Sequence, residues 1–347
     1  MGKHGWHSVF GTALLAVLLV VTDAAYGQTK ATPPGKPYKI YVITFRGMTD
    51  VEKGFQEYLA SRKIPVEITY RDLNRDNSLF PGFLAEIRTT KPDLIYTWGT
   101  SVTLGIVGAH DAIDPARHIT NIPVVFTLVA APLLAKITAD LKSSNRNVTG
   151  VVHVAPTETQ VRAMASYRPF QTLGVLYTST ERNSVVVIDE IRKLGRELGF
   201  NTVERTFRLD ANKKVMVDGA ADLIREIKDA KAQWLYLPPD SFLGTQAGQT
   251  IIPAAMAAGL PTFASTEQLM EAGALSGLVS RYFLVGQFTA YKAEQILVGK
   301  KAPKDIPIET LKRFSYQIRM EAAHTLKVPP PLPMFNYAEL IGTPPKP

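Results

Sequence analysis

A chain of 347 residues is long enough for two domains. With no cysteine it has neither disulfides nor a thiol nucleophile, and anchoring through a lipidated cysteine is excluded. Its net charge of +8 is spread over isolated pairs such as Lys213-Lys214, Lys300-Lys301 and Lys312-Arg313, which read as solvated surface rather than as the clustered patch of a nucleic-acid-binding protein.

Lys3 and His4 precede an apolar run of 13 residues from Val9 to Val21. A bilayer-spanning helix needs roughly 20 residues. Ala25 and Gly27 fit the −3 and −1 positions of a signal-peptidase site. The expectation is a signal peptide over 1–27, cleaved after Gly27, and a soluble, periplasmic mature protein. Removing those residues takes away one lysine and one aspartate, so the charge balance is unchanged.

The stretch 29–37, with three prolines and a glycine, reads as a linker. From there strand and helix signals alternate. A strand at 38–44 is followed by a helix marked by Val51, Phe55, Tyr58 and Leu59. A strand at 64–70 precedes a helix marked by Phe80, Leu84 and Ile87, with Pro81 tolerated in its first turn. A strand at 93–98, a helix at 101–110 and strands at 123–127 and 148–152 complete the first round. The second round has strands at 173–177, 202–207, 234–238, 261–264 and 275–280. Its helices are expected at 183–198, 220–230, 246–258 and 284–297, three of them stopped by Gly199, Gly259 and Gly299. The proline-rich tail from Pro329 is expected to run extended over the surface.

Two such rounds predict an α/β protein of two doubly wound parallel-sheet lobes with a hinge and a central cleft. Ligands of open parallel sheets bind beyond the carboxyl ends of the strands. The segments in that place supply the candidate ligand contacts: Phe45 and Arg46; Thr100 and Ser101; Phe126 and Thr127; Tyr177, Thr178, Glu181, Asn183 and Ser184; Asp240 and Ser241; Thr266 and Glu267. Thr100 and Ser101 open a helix, where hydroxyls and free amides can hold a carboxylate. Asp240 is the acid best placed for a ligand amine, and Phe45, Phe126 and Tyr177 could pack on an apolar part. Each polar residue taken singly also reads as an ordinary helix cap.

No GxxxxGK(S/T), GxGxxG, HExxH or GxSxG motif stands in a fitting context. The six histidines are scattered, so no metal or other cofactor is expected, nor is an enzyme.

Between Pro123 and Ser184 the chain reads Pro123-Val124-Val125-Phe126, Asn147-Val148-Thr149-Gly150, Leu173-Gly174-Val175-Leu176-Tyr177 and Glu181-Arg182-Asn183-Ser184. Later come Leu235-Tyr236-Leu237-Pro238-Pro239-Asp240, Leu297-Val298-Gly299-Lys300 and Ile306-Pro307-Ile308-Glu309. In this order the segments resemble the ABC-transporter substrate-binding family that includes the tryptophan/tyrosine-type receptors. The resemblance implies a type I periplasmic-binding fold with three crossovers. The first lobe would be 38–152 plus 267–306, the second 153–266 plus 307–330, with a tail over 331–347. It also implies that a monomer captures a small polar solute, an amino acid or similar and often aromatic, and delivers it to an inner-membrane ABC permease. Alternative expectations are a sensor subunit for a receptor kinase and an exported enzyme of similar shape. Where the family often has Asp-Pro after its PVVF strand, this chain has Ala131-Pro132; where many members have a late Ser-Asp, it has Ser265-Thr266-Glu267. Acids that would hold a ligand amine are missing or moved.

Overall fold

The computed structural model describes residues 36–342. The expected signal peptide and the last five residues, 343–347, lie outside them. Among the described residues no helix is long and apolar enough to cross a membrane.

The first lobe begins with β1 (Tyr38–Thr44), α1 (Asp50–Ser61), β2 (Val66–Asp72), α2 (Phe80–Thr90) and β3 (Leu94–Trp98). It continues through α3 (Gly99–Val107), β4 (Val124–Val129) and β5 (Val148–Val152). Strands β3 and β4 are buried along their whole length, as apolar runs covered on both faces of a parallel sheet should be. Helix α1 starts on a capping box: the Thr49 hydroxyl accepts from Val51 N, and Glu52 accepts from the Thr49 amide at 2.8 Å.

The second lobe holds α4 (Thr157–Tyr167), β6 (Thr172–Tyr177), α5 (Arg182–Leu198) and β7 (Asn201–Thr206). A short hairpin of β8 (Arg208–Leu209) and β9 (Val215–Met216) leads to α6 (Ala220–Asp229), β10 (Trp234–Leu237) and α7 (Ser241–Gln246). A π turn over Ala247–Ile251 joins α7 to α8 (Ile252–Ala257), where Pro253 has no N–H for the regular ladder. Then follow β11 (Thr262–Ala264), α9 (Glu267–Glu271) and β12 (Ser276–Val279). The chain returns to the first lobe for α10 (Tyr282–Leu297) and β13 (Glu309–Thr310), and ends in the second with β14 (Ser315–Arg319), α11 (Met320–Thr325) and β15 (Glu339–Ile341).

The sheets run β13-β5-β4-β3-β1-β2 and β15-β14-β12-β11-β10-β6-β7. Their parallel cores, β2-β1-β3-β4-β5 and β7-β6-β10-β11-β12, follow the same winding. Each sheet has an apolar core on both faces.

Sheet membership corrects the expected lobe boundaries. Ser276–Val279, expected in the first lobe, pairs with β11 and β14 in the second sheet. Glu309–Thr310, expected in the second lobe, pairs with β5 in the first. The chain therefore crosses between lobes near His153, near Ser280-Arg281 and after Thr310. A bridge between Val154 and Val279 ties the first two crossings together. Helix α10 is seated by close backbone approach. A Cβ on Gly54 would lie 2.0 Å from Phe283 O, and one on Gly286 would lie 1.9 Å from Val51 O. Part of the tail expected over the surface is instead an edge strand, because Glu339–Ile341 pairs in parallel with β14.

Candidate functional site

In each lobe the strand order reverses beside the first strand, between β1 and β3 and between β6 and β10. The loops leaving those strands diverge there and open a crevice. The two crevices share one cleft, lined from the first lobe by Phe45, Arg46, Trp98, Gly99, Thr100 and Ser101. Asn183, Pro239, Asp240 and Ser241 line it from the second, with Thr266 and Gln268. His153 and Tyr282, at two of the crossings, close its inner end.

Eight of the fifteen expected contacts line this cleft: Phe45, Arg46, Thr100, Ser101, Asn183, Asp240, Ser241 and Thr266. Four others stand behind it and brace it. The Thr178 amide and hydroxyl donate to Asp240 at 2.7 and 3.0 Å, and the Ser184 hydroxyl donates at 2.8 Å. Glu181 accepts from the amides of Ser241 and Phe242 at 2.9 and 3.0 Å. Glu267 accepts from Tyr282 N at 2.5 Å and pairs with Arg281. The remaining three are core. Phe126 packs over Gly150, Thr127 bonds the Thr289 hydroxyl at 3.2 Å, and Tyr177 is buried among apolar side chains of the second sheet.

Asp240 does not have the free carboxylate expected for a ligand amine. Besides its bonds to Thr178 and Ser184 it accepts from Leu243 N at 2.8 Å, capping α7. With four donors it is fully used. Burial raises its pKa, opposed by those hydrogen bonds. Burial, and then the charge of Asp240, raise that of Glu181.

The first-lobe wall is finished differently. Helix α3 has no acidic residue in its first turn and no side-chain cap, and its first residues, Gly99, Thr100 and Ser101, line the cleft. Arg46 lies 5.0 Å from the Trp98 ring centroid, and Phe45 stacks near-parallel to Trp98 at 6.4 Å. Its guanidinium reaches across to Gln268 Oε1 at 2.5 Å and is paired with no carboxylate among the described residues. Burial lowers its pKa, yet an arginine stays charged in proteins. Three buried polar atoms on this side have no hydrogen-bond partner among the described residues: Arg46 Nε, Trp98 Nε1 and His153 Nδ1. Burial pulls the His153 pKa down to about 4, so the ring is neutral near pH 7. Leu128, at a bulge in β4 and with φ of 51°, also lines the cleft, a conformation that costs a residue with a Cβ.

Trp98, His153, Gln268 and Tyr282 were not among the expected contacts. Trp98 ends a strand next to the expected Gly99-Thr100-Ser101 turn, and that position was the available signal. His153 and Tyr282 owe their place to the crossings, which carry no local sequence mark.

Two doubly wound lobes, three crossings and a shared cleft at both switch points define a two-lobed solute receptor of the type I periplasmic-binding architecture. The chain belongs to the ABC transporter substrate binding protein family, whose model matches residues 40–339. It is similar to a tyrosine-binding protein of Clostridioides difficile, with 22% identity over 295 residues covering 83% of this chain and 80% of that one. Among solved structures it is similar to a conserved domain protein of Vibrio cholerae, with a TM-score of 0.75 and 22% identity over 88% of this chain and 99% of that one. A Streptococcus pneumonia ABC domain in complex with L-Trp gives a TM-score of 0.74 at 22% identity, with the same coverage. Proteins of this family are the extracytoplasmic substrate-binding components of ABC transporters: they capture a small solute and hand it to a membrane permease.

Proposed function

We propose that this protein captures a small carboxylate-bearing solute with an apolar or aromatic body in the interlobe cleft, for delivery to its permease. The observation that carries this reading is Arg46, a half-buried cation with no carboxylate partner among the described residues, set beside the open N-terminus of α3. A buried charge is stable only when paired, and an incoming carboxylate supplies the pair. The stacked Phe45 and Trp98 rings suit the body of such a solute. Tyrosine and L-Trp, named for two of the relatives, both combine a carboxylate with a ring, which supports the reading. Export with cleavage after Gly27, and action as a monomer, belong to the same proposal.

The test uses the exported protein, whose N-terminus should read Gln28. A panel of carboxylates is screened by thermal shift, then by small-angle scattering. A solute at 100 times its dissociation constant should stabilise the protein by about 2.7 kcal/mol. At saturation the radius should contract while the mass stays that of one chain. A panel that yields no stabilisation and no contraction would defeat the proposal.

A further inference from the structure

Resting on that reading, the polar groups of the cleft specify the solute more narrowly. An α-amino acid brings an ammonium beside its carboxylate, and a receptor for it needs an anionic or otherwise free acceptor at that point. Asp240 lines this cleft, Glu181 and Glu267 stand directly behind it, and each of the three is already engaged. Asp240 takes four donors, Glu181 two amides of α7, and Glu267 the first amide of α10 together with Arg281. Gln268 Oε1 is held by Arg46. The acceptors that remain are neutral, such as the Asn183 side-chain oxygen, whose own amide group donates to Pro239 O.

The unanswered groups have the opposite character. Trp98 is 7% exposed and its indole Nε1, a donor only, has no partner among the described residues; His153 Nδ1 is also unpartnered, and in a neutral ring it donates or accepts according to its tautomer. Arg46 Nε is likewise unpartnered. The Thr100 and Ser101 hydroxyls and the leading amides of α3 add more donors on the same side. An ammonium desolvated here would also sit near the Arg46 guanidinium, a like charge.

We propose that the cleft selects carboxylates whose α carbon carries no ammonium, namely aryl or alkyl carboxylic acids and 2-oxo acids, over the corresponding amino acids. Arg46 and the α3 N-terminus hold the carboxylate. Trp98 Nε1 donates to a further oxygen, the 2-oxo group where there is one. Phe45 and Trp98 cover the body.

Isothermal titration of the mature chain with matched pairs tests this: 3-phenylpropionate and phenylpyruvate against L-phenylalanine, and 4-methyl-2-oxopentanoate against L-leucine, with phenethylamine as the amine alone. The expected result is at least ten-fold tighter binding of one or more deaminated acids than of the matched amino acid, with no binding of phenethylamine. Arg46→Gln should abolish that binding without lowering the melting temperature of the free protein. Trp98→Phe, which keeps a ring but removes the N–H, should weaken it several-fold. Amino acids binding as tightly as the deaminated acids, or no deaminated acid binding at all, would overturn the selectivity. In the first case, or if another solute still contracts the protein, the receptor reading survives. Deaminated acids that bind Arg46→Gln as tightly as the unaltered chain would overturn the assignment of the carboxylate to Arg46.

Discussion

At the end of β3 the first lobe turns into α3 through Gly99-Thr100-Ser101. At the end of β10 the second lobe turns into α7 through Pro239-Asp240-Ser241. The two turns occupy the same place in the same winding, each beside a switch point. Both present a helix N-terminus to the cleft, with the partial positive charge of its free amides. In the second lobe that charge is consumed internally, by Glu181 on the amides of Ser241 and Phe242 and by Asp240 on that of Leu243. In the first it is left open, with Arg46 added above it. Equivalent topology thus yields one wall that holds itself and one wall that, in the proposed function, receives the anion.

Removing the internal anion is the strongest way to break this comparison. Asp240→Ala would leave two backbone amides and two hydroxyls without their acceptor in a largely buried setting. Unanswered buried donors cost about 1–3 kcal/mol each, partly relieved by water at the cleft. Adding the lost cap, unfolding free energy should fall by about 3–5 kcal/mol. Affinity of the protein that remains folded should change by less than about two-fold. Urea melts alongside calorimetry check both. A variant of normal stability that loses ten-fold in affinity would return Asp240 to the ligand shell.

His153 offers the next largest effect, and it belongs to the seam between the walls. Its ring meets Tyr282 edge-on at 6.1 Å, with Arg46 near enough to disfavour its charge further and the Val129 carbonyl favouring it. Burial lowers its folded pKa to about 4 from 6.5. A depressed histidine contributes stability above pH 6.5 that is lost as pH falls toward 4, in total about 3 kcal/mol. Glu181 and Asp240, both raised, act with the opposite sign: their contribution is complete below the ordinary carboxylate pKa and is lost as pH rises through the folded value. Urea denaturation at pH 7 and pH 5 should therefore show a smaller acid loss in His153→Asn than in the unaltered protein. Equal losses would show that the histidine is already solvated.

Most strands and the longer helices could be read from local pattern, because buried parallel strands are apolar runs and their helices end at glycine. The strand 38–44 and the strand 148–152 match the observed bounds. What could not be read is what depends on distant partners. Helix α4 carries a weak apolar face over Thr157–Tyr167, and β13, β14 and β15 are short strands defined by the neighbours they join. Of the site, the strand-end turns were legible, but the state of each polar group was not. Whether Asp240 is free or saturated depends on Thr178 and Ser184, some 60 residues away. Phe126 and Thr127 were misplaced for a related reason: β4 runs on to Val129 through a bulge, which leaves them in the sheet and brings Leu128 to the cleft.

The smallest expected effect sharpens the comparison most finely. Thr100 is 8% exposed at the second position of α3, and its hydroxyl has no partner among the described residues. Thr100→Val keeps the branched shape and deletes only the hydroxyl. Because no bond within the protein is lost, the melting temperature of the free protein should hold or rise slightly. If the hydroxyl donates to a bound carboxylate, one hydrogen bond is lost at the ligand, and affinity should fall by about 0.5–1.5 kcal/mol, roughly two- to twelve-fold. Thr178→Val, the matching deletion behind the second wall, removes a bond to Asp240 and should do the reverse, lowering stability and leaving affinity nearly unchanged. Calorimetry and melting curves on the two variants give a crossed pattern if one wall serves the ligand and the other serves the fold. Parallel losses in both variants would mean that the two walls share the solute.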